Sequence, residues 1–279
     1  MIAIVNQKGG VGKTTTAVNL TASLAAAERA TLLVDNDPQG NASSAYGVIA
    51  PPLHLYDALL EERVIPEITR PTELSHLHLV PSGPDLVGAE IELVTMEGRE
   101  IRMRRALEPV TAAYDYIVID CPPSLGLLTL NALTAADAVL IPLQCEYYAL
   151  EGLARLLDTV ERVRRGLNPG LEIEGIVLTM MDRRANLCRQ VESEVRGHFG
   201  NRVFETAIPR NVRLSEAPSH GKPILLYDIQ SKGATSYLRL AEELLRRSGD
   251  RRPPRKPPLL PIPRAGEDEE GGRVNGHAP

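Results

Sequence analysis

The chain has 279 residues, 43% of them hydrophobic and 24% charged, enough for one large core or two small ones. Its formal net charge of -5 excludes a uniformly basic nucleic-acid-binding protein, so any such partner must meet a local patch. Trp is absent and aromatics are 4%, so the core is built from Ala, Leu, Ile and Val, which suits helices packed on a buried parallel sheet.

The first apolar run, IAIV (2–5), is short and buried-strand-like, and it leads into QKGGVGK. An Ala/Leu-rich helix is expected from Lys13 to Ala27. TLLVD (31–35), LHLVP (77–81), YIVID (116–120), AVLIP (138–142), EGIVLTM (174–180) and VFETAIP (203–209) are the remaining strand candidates. Helices are expected over Ile91 to Val110, Leu150 to Gly166 and Leu187 to Phe199. This alternation predicts an α/β fold, with a doubly wound, mostly parallel sheet flanked by helices on both faces. An amphipathic helix is expected at 234–247, with Tyr237, Leu240, Leu244 and Leu245 near one face that is buried on the sheet. Beyond Gly249 the Pro density rises and a basic block gives way to an acidic one, so the folded domain is expected over 1–248 and a disordered tail over 249–279. The block RRPPRK (251–256) reads as solubilising, with added phosphate contacts as the alternative.

Cys121, Cys145 and Cys188 are far apart and lack ligand spacing, which argues against a structural metal, a disulfide framework or an iron–sulfur cluster. No leader pattern and no apolar run of membrane-spanning length is seen, so a cytoplasmic location is expected.

KGGVGK between a strand and a helix has the chemistry of a phosphate cradle. Glycines let successive N–H groups turn toward an anion, and the following helix adds its positive end. Lys13 would reach the β- and γ-phosphates and Thr14 would hold Mg²⁺. The strict G-x-x-x-x-G-K-[ST] pattern fails at Gln7, where the first glycine belongs. VDNDPQGN (34–41) adds Asp35 and Asp37 at a strand end, and YIVIDCPPS (116–124) adds Asp120 at another, where open α/β sheets bind ligands. Pro122 and Pro123 then force the chain out of the strand.

Together KGGVGKTT, VDNDPQGN and IDCPPSLGLLTLNAL (119–133) closely resemble the ParA/Soj chromosome and plasmid partition ATPases, within the deviant-Walker-A group of P-loop proteins. CEYYALEGL (145–153), LTMMDRRANL (178–187) and IPRNVRLSEAPSHGKPI (208–224) extend the resemblance over roughly 1–248. It implies that Lys8 is the signature lysine, which reaches the partner's nucleotide across an ATP-sandwich homodimer. It implies a cradle of Gly9, Gly10, Val11, Gly12, Lys13, Thr14 and Thr15, with Pro209 and Asn211 lining the adenine pocket. Asp37 then orients the attacking water and Asp120 sits near Mg²⁺, with Thr14, Asp37 and Asp120 as the metal-site residues and ATP and Mg²⁺ as cofactors. Asn36 departs from the apolar residue of many relatives but leaves both aspartates in place.

The resemblance further implies slow ATP hydrolysis, non-specific binding of double-stranded DNA at the nucleoid, and stimulation by a ParB-type centromere-binding protein. Arg183, Arg184, Arg189, Arg202, Arg210, Arg213, Lys222 and Lys232 are the candidate phosphate contacts, with Arg184 and Arg213 in the most family-like segments. Longer plasmid-type members carry a helix-turn-helix region before the phosphate loop. Here the first strand begins at residue 2, so sequence-specific repression is not expected. Two alternatives remain. One is a MinD-like membrane-associated division-site ATPase, which needs an amphipathic terminal helix free to meet lipid. The other is a nucleotide-gated DNA-binding regulator without significant hydrolysis.

Overall fold

A computed structural model describes residues 1–146, 148–250, 253 and 256–258. The disordered-tail expectation, with its basic block, otherwise falls outside the described residues. Strands are β1 (Ile2–Ile4), β2 (Thr31–Asp35), β3 (Arg70–Pro71), β4 (Leu77–Val80), β5 (Tyr116–Asp120), β6 (Ala138–Gln144) and β7 (Glu172–Thr179). The helices are α1 (Lys13–Ala26), α2 (Asn41–Ser44), α3 (Leu55–Leu60), α4 (Ile65–Ile68), α5 (Leu86–Glu92) and α6 (Arg102–Leu107) in the first part. They continue with α7 (Leu127–Ala135), α8 (Ala149–Gly166), α9 (Asn186–Phe199), α10 (Val212–Glu216), α11 (Ile224–Tyr227) and α12 (Lys232–Arg247).

The strands form one sheet in the order β3-β4-β2-β5-β1-β6-β7, parallel except for β3, which pairs antiparallel with β4. Side chains alternate between two cores, as the strand period requires. Ala3, Leu32, Val34, Ile117 and Ile119 face one core, under α3, α5, α7 and α8. Ile2, Ile4, Leu33, Tyr116 and Val118 face the other, under α1 and α12. The connection after β1 runs to one side, toward β2, and that after β5 runs to the other, toward β6. The direction therefore reverses at the C-terminal ends of β1 and β5, where such sheets leave a crevice for ligands.

Two sequence expectations are corrected. The segment 203–209 is not a strand: the Phe204 and Ile208 N–H groups donate to the Ile176 and Leu178 carbonyls of β7 at 2.9 and 2.8 Å, and isolated bridges join Val203 to Ile176 and Pro209 to Met181, but no continuous ladder forms. Its Glu205 and Thr206 N–H groups donate instead to the Glu243 carboxylate of α12, each at 2.8 Å. A side chain thus captures the donors that a ladder would need. Nor is 91–110 one helix. Gly98 adopts a left-handed φ of 65° and Pro109 lacks an N–H, so the stretch breaks into α5, α6 and short 3-10 turns.

Helix α12 buries Ala234, Tyr237, Leu240, Ala241 and Leu244, and the Tyr237 hydroxyl lies 3.3 Å from Thr16 Oγ1 in α1. Its apolar face is thus occupied by the protein itself, against α1 in front of the sheet. Among the described residues no helix is long and apolar enough to cross a membrane.

Candidate functional site

The phosphate loop runs from the end of β1 to α1, and both of its ends are fixed by side chains. Asn6 is buried; its Nδ2 donates to the Pro142 carbonyl of β6 at 2.7 Å and its Oδ1 accepts from the Lys8 N–H at 3.0 Å. Farther along, the Thr179 hydroxyl at the end of β7 donates to the Val11 carbonyl at 2.8 Å. Gly10 and Gly12 take φ of 74° and 88°, a region that costs an L side chain about 1–2 kcal/mol. A Cβ on Gly9 or Gly10 would meet nothing within 4 Å, so the inner wall of the curl borders open space. Thr16 N–H then donates to the Gly12 carbonyl at 2.9 Å and starts α1.

The two lysines have opposite settings. Lys13 is buried, and its Nζ donates to the Lys8 carbonyl at 3.1 Å. Burial lowers its pKa, and the Asp120 and Asp37 carboxylates work against that. Lys8 is half exposed on the lip of the loop, where its ammonium pairs with Glu146 in the turn after β6. Sequence reasoning missed Glu146, because a single acid in a turn carries no spacing signal.

Asp35 and Asp37, grouped in the sequence, are separated by the structure. Asp35 is fully buried, and its Oδ2 accepts from both the N–H and the hydroxyl of Ser43 at 2.7 Å. Burial pushes its carboxyl up to about 6 in spite of those bonds. Its bonds thus tie β2 to α2. Asp37 lies at the crevice; the Ser82 hydroxyl donates to its carbonyl at 2.7 Å and Gln39 N–H to its Oδ1 at 3.0 Å. Asn36 is more than a neutral departure. It is buried, and its Nδ2 donates to the Leu128 carbonyl at 3.0 Å, tying β2 to the first turn of α7.

Asp120 is fully buried, and neither carboxylate oxygen has a partner in good hydrogen-bond geometry. Burial, then repulsion from Asp35, pushes its carboxyl well up; the nearby Thr14 hydroxyl and Lys13 offset this only in part. A buried carboxylate without a partner, beside a hydroxyl, fits a hard divalent cation with oxygen ligands.

Pro209 and Asn211 reach the same end of the sheet. Met181 N–H donates to the Ile208 carbonyl at 3.0 Å and Arg210 N–H to the Met181 carbonyl at 3.2 Å. Asn211 Oδ1 caps α10 through the Arg213 N–H at 2.9 Å. Of the basic residues, Arg183 and Lys232 line one hollow of about 390 Å³ with Arg239, which the sequence reading did not select. Arg184 is ion-paired with Asp182 at 3.1 Å and Arg213 with Glu216 at 2.9 Å. Lys222 stands apart, beside a hollow lined by Thr14, Thr15 and Asn41, and lies 3.8 Å from Glu73. Arg183, Arg210, Arg202 and Lys232 are exposed and make no ion pair among the described residues. Arg183 and Lys232 thus share one hollow, Arg184 and Arg210 both act on the Asp182 carboxylate beside it, and Lys222 lies at another. Cys121, Cys145 and Cys188 are buried free thiols.

The AAA domain family model matches residues 1–173. The chain is 63% identical to the chromosome partitioning protein ParA of Myxococcus xanthus (strain DK1622), covering 92% of this chain and 91% of that protein. It is 58% identical to the sporulation initiation inhibitor protein Soj of Bacillus subtilis (strain 168), over 88% of this chain and 97% of that one. Among solved structures, cobyrinic acid a,c-diamide synthase from Mycobacterium smegmatis with bound ADP and magnesium superposes with a TM-score of 0.78. The identity is 36%, over 93% of this chain and 98% of that one.

Proposed function

Because the chain belongs to the ParA/Soj family of chromosome-partitioning ATPases, we propose that it binds ATP with Mg²⁺, dimerises around it, holds DNA without sequence preference and lets go on hydrolysis. The observation that carries the reading is the pairing of a buried Lys13 inside the glycine loop with an exposed Lys8 on its lip. A lysine on the lip is available to a second copy of the chain; one inside serves its own nucleotide. At this exposure the Lys8–Glu146 pair is worth roughly 0–1 kcal/mol, so giving it up costs little against a phosphate.

In the reaction ATP + water → ADP + phosphate, this chain positions groups and stabilises charge. The N–H groups from Gly9 to Thr15 and the Lys13 ammonium bind the phosphates. Asp37, at the mouth of the crevice, orients the attacking water. Thr14 and Asp120 would hold Mg²⁺ with Asp37 close by; when bound, the ion neutralises charge on the phosphate oxygens. Pro209 and Asn211 border the adenine. Lys8 from the partner copy completes the cationic shell, which ties turnover to dimerisation and keeps the lone chain slow. DNA phosphates meet Arg183, Arg184, Arg210 and Arg213, with Lys222 farther off. A ParB-type protein stimulates turnover. The burial of the α12 apolar face favours this reading over lipid docking.

Sizing with ATP and assay of phosphate release test it together. Lys8→Ala is expected to stay monomeric with ATP. Asp37→Ala is expected to dimerise and hold DNA but release no phosphate. Equal dimer fractions in wild type and Lys8→Ala, or normal phosphate release by Asp37→Ala, would overturn the assignment. DNA binding without any turnover in wild type would instead favour the non-hydrolysing regulator.

A further inference from the structure

Cys145 and Cys188 are distant in the sequence, yet the fold brings both to one thioether. Cys145 Sγ lies 3.2 Å from Met181 Sδ, and Cys188 Sγ lies 3.5 Å from the same atom. The two thiols also interact directly with each other. Three separate elements supply these sulfurs. Cys145 opens the turn after β6, Met181 follows the end of β7, and Cys188 sits in the first turn of α9. All three belong to the apolar core: Cys145 is 8% exposed, Met181 6% and Cys188 5%. Cys121, at the end of β5, has a different neighbour, the Ile119 carbonyl at 3.8 Å.

The donor set decides what could bind. Among the described residues no group of three or more His, Cys, Asp or Glu is placed to hold a metal, so the closed four-ligand site of zinc is not built here. Two thiols and a thioether are instead soft donors, the kind that select copper(I). A disulfide between the cysteines is the competing use. It would employ two of the three sulfurs and leave Met181 no part. Burial, then Cys188, push the Cys145 thiol up to about 12, so an oxidant meets little thiolate there. Room is the remaining condition. With metal–sulfur bonds of about 2.3 Å, as in zinc thiolates, three sulfurs in a plane around one ion stand about 4 Å apart. Each Sγ then has to part from Met181 Sδ by less than about 1 Å, which an unbranched thioether absorbs through its own torsions.

We propose that Cys145, Cys188 and Met181 form a binding site for one copper(I) ion. Binding makes two thiolate bonds and one thioether bond to the ion and releases both thiol protons to water. No electron is transferred. Of the charges felt by Cys145, Arg196 favours the thiolate and Glu192 opposes it, and those two are paired with each other at 3.0 Å. The apolar surroundings keep water from the ion. Occupancy joins the turn that carries Glu146, the partner of Lys8, to the end of β7 and to α9. The site goes beyond the ATPase reading and does not depend on it.

Binding is tested on the full chain, reduced, stripped of metal and kept under nitrogen. Copper(I) is supplied as its bicinchoninate complex, whose colour fades as the protein takes the ion. Wild type is expected to withdraw one ion per chain and to show a sulfur-to-copper absorption band in the near ultraviolet. Cys188→Ala is expected to lose the band and at least about 100-fold in affinity, since even outer partners of a metal site are worth about 10–100-fold. Met181→Leu, which keeps the volume, is expected to weaken binding about tenfold and to keep the band. Cys121→Ala is expected to change neither. Thermal melts without copper check that each variant is folded. Copper(I) is expected to raise the melting temperature of wild type and not that of Cys188→Ala. Failure of wild type to compete with bicinchoninate, or equal withdrawal by wild type and Cys188→Ala, overturns the proposal. Equal affinity of Met181→Leu and wild type overturns the three-sulfur site, and zinc binding as tight as copper(I) overturns the choice of ion. A Cys145–Cys188 disulfide, found by mass spectrometry in a chain that takes no copper(I), assigns the pair to redox chemistry instead.

Discussion

Two glycines of the phosphate loop separate strain from space. Gly12 holds φ at 88° and the Cβ of an alanine there would sit at ordinary contact distance, 3.9 Å, from Thr179, so the cost is conformational. Gly9 carries no left-handed φ and its Cβ would meet nothing within 4 Å. Gly12→Ala is expected to lower stability by about 1–2 kcal/mol and to weaken binding of a fluorescent ATP analogue. Gly9→Ala is expected to leave stability within about 0.5 kcal/mol and still to weaken the analogue, because the methyl occupies room meant for phosphate. Thermal melts with and without the analogue distinguish the pair. Equal losses of stability would refute this division of roles. At this scale the sequence told which residue types line the cradle, but not what braces it. Asn6, Ser43, Thr179 and Glu146 are single polar residues without period or spacing, and their purpose exists only once β6, β2, β7 and the loop have met.

At the scale of elements, the strands rich in Ile, Leu and Val were legible because burial on both faces leaves an unbroken apolar run. β2 and β5 start and stop where the pattern does. β3 was not legible: Arg70–Pro71 is too short to show a period. The opposite error at 203–209 has its cause in Glu243, three helical turns into α12. Burial pushes the Glu243 carboxyl up, but the N–H groups of Thr206 and Glu205 and the Arg247 guanidinium outweigh it and hold the group below its ordinary range. Glu243→Ala strands two backbone donors, and is expected to cost about 2–3 kcal/mol at neutral pH by urea unfolding. The sign with pH follows from the depressed value. The contribution is fully present above the unfolded pKa near 4 and fades as pH falls through the lower folded one. The gap between wild type and Glu243→Ala should therefore narrow below about pH 4. A gap that widens on acidification would show the wrong group to be responsible.

For the whole molecule, the charge carried by this acidic chain is local, as the composition required. Arg183 and Lys232, which make no ion pair among the described residues, share a hollow with Arg239, beside the segment that borders the proposed adenine position. Arg184, although ion-paired, is 92% exposed and can trade Asp182 for a phosphate at little cost. If DNA is held here, Arg183→Ala with Lys232→Ala should lower the slope of log affinity against log salt by about 2 per protomer, since each phosphate contact contributes about 0.9. An unchanged slope would move the DNA surface elsewhere. The sequence showed the basic residues but not their grouping, because Lys222 and Arg183 are brought to different hollows by elements that are neighbours in the chain only in part.

The placement of β1 has a consequence for cooperativity. It is three residues long, yet it lies between β5 and β6 with a parallel partner on each side, and both cores meet across it. Its continuation, Val5 and Asn6, is bonded to β6 and passes directly into the glycine curl. Segments that open on their own are those with few buried contacts, and this one has the reverse. The glycine curl therefore hangs from a strand that is paired on both edges. Freeing the anchor of the phosphate loop is therefore expected to require parting β1 from β5 and β6, which couples ligand binding there to the folding of the sheet.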